Sequence, residues 1–151
     1  MKELLWDSSY EIGIEEIDRQ HMEFIKLLRR FHIGAQKAIP LTIQLRIMQE
    51  LVKYAEYHFC SEENIMLITK YPDLANQQAE HSRLLKSLEL RVDRYRIAPH
   101  TGEQFSEFLY DWFVNHTQVE DRKLTAHIDR GEKSLAQPLP VVPVEVKPAA
   151  E

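Results

Sequence analysis

Residues 14–35 read IEEIDRQHMEFIKLLRRFHIGA, and the spacing of their apolar members decides the fold. Ile14, Ile17, Phe24, Leu28, Phe31 and Ala35, with His21 among them, step by three and four, the interval that keeps one face of a helix inward. The stripe predicts a first helix that stops near Ile39-Pro40, because proline disfavours helix in the residue before it. Working outward, the same period recurs three times. Met48, Leu51, Ala55, His58, Glu62 and Ile65 define a second stripe. Tyr71-Pro72-Asp73 reads as a turn, with Pro72 tolerated in the first turn of the next helix. Leu74, Gln77, His81, Leu84, Leu88, Val92 and Tyr95 make the third. Ile97-Ala98-Pro99-His100-Thr101-Gly102 interrupts the pattern, with Thr101 as the expected N-cap. Phe105, Leu109, Trp112, His116 and Val119 form the fourth stripe. Four helices with short connections predict an all-α, antiparallel up-down four-helix bundle.

The composition agrees. A chain of 151 residues suits one domain with a substantial core. Only four glycines occur, and no run alternates β-branched and polar residues, so helix is the default. A formal net charge of -5 argues against a nucleic-acid partner. No apolar run is long enough to span a bilayer, and the N-terminus lacks the apolar stretch of a signal peptide. Cys60 is the only cysteine, so no internal disulfide can form. These features predict a cytoplasmic protein. Residues 1–13 form an arm whose Trp6, Tyr10 and Ile12 are expected to pack across the bundle, which occupies residues 1–130. From Gly131 the chain becomes rich in proline, valine and alanine, and residues 131–151 read as a flexible tail.

Polar residues interrupt the apolar faces at matching depths. His21, His58, Glu62, His81 and His116 all fall on the inward side of their helices. A buried polar group without a partner costs several kcal/mol, so each needs a role. A lone core histidine is most simply explained by a hydrogen bond to a carbonyl. One histidine per helix, all at similar depth, instead matches the way bundles build metal sites from facing helices. Mixed imidazole and carboxylate donors without thiolate suit iron, manganese or zinc. His58 and Glu62, four residues apart, point the same way and can share a centre.

The ordered set His21, His58-Phe59-Cys60-Ser61-Glu62-Glu63, His81, and His116 through Asp121 resembles the hemerythrins, especially the bacterial ones. Trp6-Asp7, Ile12-Gly13-Ile14 and Ile17-Asp18-Arg19-Gln20-His21 look like that family's N-terminal motif. Tyr71-Pro72-Asp73 and the Trp112–His116 spacing fit as well, and the likeness covers about residues 4–127. The resemblance implies two non-haem irons with an oxo or hydroxo bridge. His21 and His58 would hold one, His81 and His116 the other, and Glu62 and Asp121 would bridge them. It implies a protein that binds dioxygen, or a related small ligand, for storage, delivery or sensing.

Two positions depart from simple expectation. Spacing alone selects Glu120, four residues after His116, as the fourth helix's carboxylate, whereas the resemblance selects Asp121, about 140° round an ideal helix. A local π-type turn would reconcile them, leaving Glu120 at the surface. The family's third helix usually carries two histidines four apart, and here that pair reads Gln77 and His81. Three outcomes are open: Gln77 coordinates weakly, it binds a water that fills the position, or the second iron is lost. If both irons are kept, each has only two histidines and an open position, which favours the alternative of a di-iron redox enzyme acting on peroxide, oxygen or nitric oxide. A signalling module, with a partner protein reading the tail, is a third reading. Phe24, Trp112 and Phe113 are expected to wall the pocket. His32, His100, His127 and Glu63 are expected at the surface, and Tyr54, Tyr57, Tyr95 and Tyr110 in bundle packing.

Overall fold

The computed structural model describes residues 3–131, 143–145 and 147. The expected flexible tail falls almost wholly outside the described residues. The predicted helices are present: α1 (Glu15–Gln36), α2 (Leu41–Ile68), α3 (Leu74–Ile97) and α4 (Gly102–His116). Beyond His116 a π turn (Thr117–Asp121) carries the chain into α5 (Arg122–Gly131), which extends α4. α1 packs against α2 and α4, and α2 against α3. The chain forms a four-helix bundle. Among the described residues, no helix is long and apolar enough to cross a membrane.

Helices α1 and α2 both end in a residue of left-handed conformation, Ala38 (φ 51°) and Lys70 (φ 53°). After each, a backbone N–H reaches back to an unpaired carbonyl of the last turn: Ile39 to Gly34 at 3.1 Å, and Tyr71 to Met66 at 2.8 Å. This is the hydrogen-bonding pattern of a Schellman cap, with a side chain where glycine is favoured. Helix α4 starts differently. Thr101 sits at its N-cap, but its hydroxyl donates to the carbonyl of Ala98 and makes no cap bond. Pro72 lies in the turn before α3, outside the helix.

Apolar stripes meet in a main core that includes Leu28, Phe31, Met48, Leu51, Leu88 and Leu109, all fully buried. Each such side chain contributes about 1.5–3 kcal/mol of burial free energy. A smaller cluster, Met66, Tyr71 and Leu124 packed with Ile14, Ile65, Leu74 and Ile128, closes one end. His21, Glu62, His81 and His116 lie between these two clusters along the chain. Going along α1, Ile14 belongs to the small cluster and Phe24 to the main core, with His21 between.

The arm does cross the bundle. Leu4 and Ile12 are buried, and Trp6 and Tyr10 pack against the core. The Tyr10 and Tyr110 hydroxyls lie 2.8 Å apart. Asp18, itself buried, accepts the backbone N–H groups of Ile12 (2.8 Å) and Gly13 (3.0 Å), fixing the arm to the start of α1.

Four assignments of exposure change. His32 is buried, with Nδ1 at 3.0 Å from the Ser106 hydroxyl, because it faces α4 across the groove beside Phe31. His127 is half-buried and donates to the Thr69 carbonyl at 2.8 Å. Val119, placed on the fourth stripe by spacing, is exposed because the π turn rotates it outward. Tyr57 is likewise exposed.

Candidate metal centre

Each helix delivers its donor by the same device, a polar residue set into an apolar stripe. His21 comes from α1, His58 and Glu62 from α2, His81 from α3 and His116 from α4. Asp121 arrives through the π turn. The wider turn absorbs one extra residue, so the carboxylate five positions after His116 points inward while Glu120 does not. Asp121 is fully buried, and Glu120 is the partly exposed neighbour.

The six side chains form two overlapping groups. Donor atoms of His21, His58, Glu62 and Asp121 lie within 4.8 Å of one another, and so do those of Glu62, His81 and His116. Glu62 belongs to both. Its Oε1 is 2.7 Å from His58 Nε2, and its Oε2 is 3.3 Å from His81 Nε2. Asp121 reaches His21 Nε2 at 3.3 Å with Oδ2 and His116 Nε2 at 3.2 Å with Oδ1.

Apart from the His21–His58 contact, these short distances are not aligned hydrogen bonds. Both oxygens of Glu62 and of Asp121, and the Nε2 atoms of His81 and His116, are buried and lack an aligned hydrogen-bond partner. The Nε2 atoms of His21 and His58 face each other at 3.1 Å. Two buried carboxylates would cost several kcal/mol each without compensation. Lone pairs that converge from four helices and satisfy nothing among themselves fit a set of cations between them. The donor set, imidazole plus carboxylate, suits iron, manganese or zinc.

Protons are the competitor for that place. Burial lowers the His21 pKa, but Asp121 and Glu62 outweigh it and push it up to about 9. His116 follows the same balance, lowered by burial and pushed up to about 11 chiefly by Asp121. Burial raises Glu62, yet the charge of His58 and contacts with His116 and His21 hold it well below its usual range. Asp121 is raised by burial and by Glu62, and brought down overall by His116 and His21.

Residues 12–128 match the family described as the hemerythrin HHE cation binding domain. The chain belongs to the hemerythrin family. It is 30% identical over 135 residues to the bacteriohemerythrin of Stenotrophomonas maltophilia, covering 84% of this chain and 85% of that one. The bacteriohemerythrin of Pseudomonas aeruginosa is 25% identical over 138 residues, with 91% and 87% covered. A hemerythrin-like protein of Naegleria gruberi is 24% identical over 119 residues, with 78% and 87% covered.

Around these candidate donors stand residues that spacing did not select. Gln20 accepts the Nδ1–H of His58 at 2.8 Å, and its amide nitrogen donates to Ser61 Oγ at 3.1 Å. Glu63, expected to be solvated, accepts from His81 Nδ1 at 2.8 Å. Both contacts turn the histidine's Nε2 inward and fix its tautomer. Phe59 stacks on His81 with ring centroids 4.0 Å apart and planes at 5°. Their only sequence signal is adjacency, since Gln20, Phe59 and Glu63 each neighbour a candidate donor.

The three expected wall residues differ in reach. Trp112 stacks on His116 at 4.6 Å, and Phe113 meets His21 edge-on at 5.1 Å. Phe24 stacks on Phe113 at 5.4 Å, one ring removed. Gln77 is buried and donates its amide to Glu120 at 2.8 Å.

Proposed function

We propose that the chain is a non-haem di-iron protein that binds dioxygen, or a related small ligand, for storage, delivery or sensing. One observation carries this reading: six buried donors from four helices converge in two groups sharing Glu62, and their carboxylate oxygens satisfy nothing else. His21 and His58 would hold one iron, His81 and His116 the other, and Glu62 and Asp121 would bridge. The family's description as cation-binding and the name bacteriohemerythrin on its relatives support a metal-binding role.

When bound, the iron pair supplies reversible two-electron chemistry toward dioxygen. The chain's own part is to hold and to exclude. Gln20 and Glu63 hold the His58 and His81 rings by Nδ1 and leave Nε2 facing inward, the atom that can coordinate. Phe59, Trp112 and Phe113 line the donors with rings, which restrict water and the protons that would make ligand binding irreversible.

A second reading has its own observation. Gln77 occupies the stripe position where the family resemblance expects another histidine, and an amide oxygen is a weaker donor than imidazole. An opened second iron would suit a redox enzyme acting on peroxide, oxygen or nitric oxide. Metal content per chain, with visible spectra before and after air is admitted to the reduced protein, separates the two. Two irons with absorption that appears with oxygen and disappears on its removal support the binder. Two irons with irreversible oxidation favour the enzyme. One iron or none sinks both di-iron readings.

A further inference from the structure

Gln77 is buried to 2% exposure, yet its amide is satisfied at one end only. Nε2 donates to Glu120 Oε2 at 2.8 Å and, at a longer 3.4 Å, to Asp73 Oδ2. Oε1 is buried without a hydrogen-bond partner. The orientation follows from chemistry, since carboxylates only accept and the end of the amide facing two of them must be the NH2. The carbonyl is therefore turned away from Glu120 and Asp73. Gln77 lies one turn before His81 on the same face of α3, and its buried Oε1 is left without a partner on the side away from the two carboxylates.

Glu120 is suited to hold this arrangement. Its Oε1 faces the ammonium of Lys123 at 3.1 Å, which leaves Oε2 for Gln77. Its placement comes from the π turn. In an uninterrupted α-helix the residue four after His116 would share the inward face. The extra residue sends Asp121 to the centre and Glu120 to Gln77 instead.

We propose that Glu120, with Asp73 behind it, is a positioning residue that fixes Gln77 with its carbonyl oxygen toward the His81–His116 position and makes that position discriminate against anionic ligands. The inference rests on the di-iron reading above. An amide offers a donor or an acceptor, and the one presented decides what the neighbouring metal position takes. A carbonyl oxygen welcomes a cation, or a ligand bearing a proton such as water. An NH2 group would welcome an anion. The carboxylate of Glu120 enforces the first. A glutamine at 120 could accept as well as donate, which frees the Gln77 amide to turn round.

Two measurements on the full chain test it, using Glu120→Gln and, as the control that touches only the outer oxygen of Glu120, Lys123→Ala. In the metal-free protein, the Gln77 side-chain NH2 signals should show slowed hydrogen exchange in the parent and in Lys123→Ala. They should lose that protection in Glu120→Gln. Unprotected signals in the parent would overturn the inference. In iron-loaded protein, azide titrated by its charge-transfer absorption should bind about tenfold more tightly to Glu120→Gln than to the parent, with Lys123→Ala unchanged. Equal azide affinity at equal iron content would also overturn it. A parent that holds no iron pair but protects the Gln77 amide would sink the di-iron reading while the orientation stands. Should Glu120→Gln lose helix content, Glu120→Ala gives the same two readouts.

Discussion

The His58 ring is oriented from another helix. Its Nδ1–H donates 2.8 Å to Gln20 Oε1, and the Gln20 amide nitrogen is anchored in turn on Ser61. Outer contacts of this kind are worth about 10–100-fold in metal affinity, because they fix both tautomer and ring angle. Gln20→Leu keeps the volume and removes the acceptor. Metal affinity, measured by competition with a chromophoric chelator, should fall by that factor while circular dichroism shows the helices intact. An unchanged affinity would mean that packing alone orients the ring. Such partners are hard to read from sequence because the contact crosses between helices: nothing in the order Gln20-His21 says that the glutamine serves His58. The inward position of the candidate donors was legible, since each interrupts an apolar stripe. Asp121 was the exception, because an α-helical period points to Glu120 and only the family resemblance chose its neighbour.

Elements were legible where periodicity dominates and less so at their ends. The four stripes located the helices, and Pro40 marked the connection before α2. Period alone could not show the π turn, whose cause is one residue more than the helix accommodates, and Val119 was misplaced for that reason. Thr101 met the composition of a cap, yet its hydroxyl found the Ala98 carbonyl first, a local competition common for threonine. The left-handed caps at Ala38 and Lys70 were also invisible, because glycine, their usual signal, is missing. A non-glycine side chain in that conformation costs roughly 1 kcal/mol. Lys70 is exposed, and its substitution by glycine relieves this strain at some cost in unfolded-chain entropy. Lys70→Gly should therefore stabilise the fold by about 0.5 kcal/mol, seen as a higher urea midpoint at unchanged slope. A lower midpoint would show that the lysine side chain contributes packing that outweighs the strain.

At the scale of the whole molecule, the bundle brings four histidines and two carboxylates into one buried layer, and the pH dependence of stability follows from that choice. His21 and His116 have folded pKa values raised from 6.5 to about 9 and about 11. Between 6.5 and those values the metal-free folded chain binds more protons than the unfolded chain, so its stability falls as pH rises. The slope is at most about 1.4 kcal/mol per pH unit for each histidine. Glu62 and Asp121 act in the opposite direction. Their folded pKa values are lowered, so their contribution is present above the unfolded values of 4.5 and 3.8 and is lost as pH falls through the lowered ones. The metal-free chain should accordingly melt highest between about pH 4.5 and 6.5 and progressively lower toward pH 9. Cations reverse the trend, because coordination requires neutral imidazole and expels the protons that His21 and His116 carry. Stabilisation by added metal should grow as pH rises from 6.5 to 8.5, and calorimetry in two buffers of different ionisation enthalpy should detect protons released on binding. A metal-free melting temperature that climbs over this range, or uptake with no proton release, would mean that His21 and His116 are already neutral in the folded chain. The layer would then be held together by packing, with the carboxylates finding their compensation elsewhere.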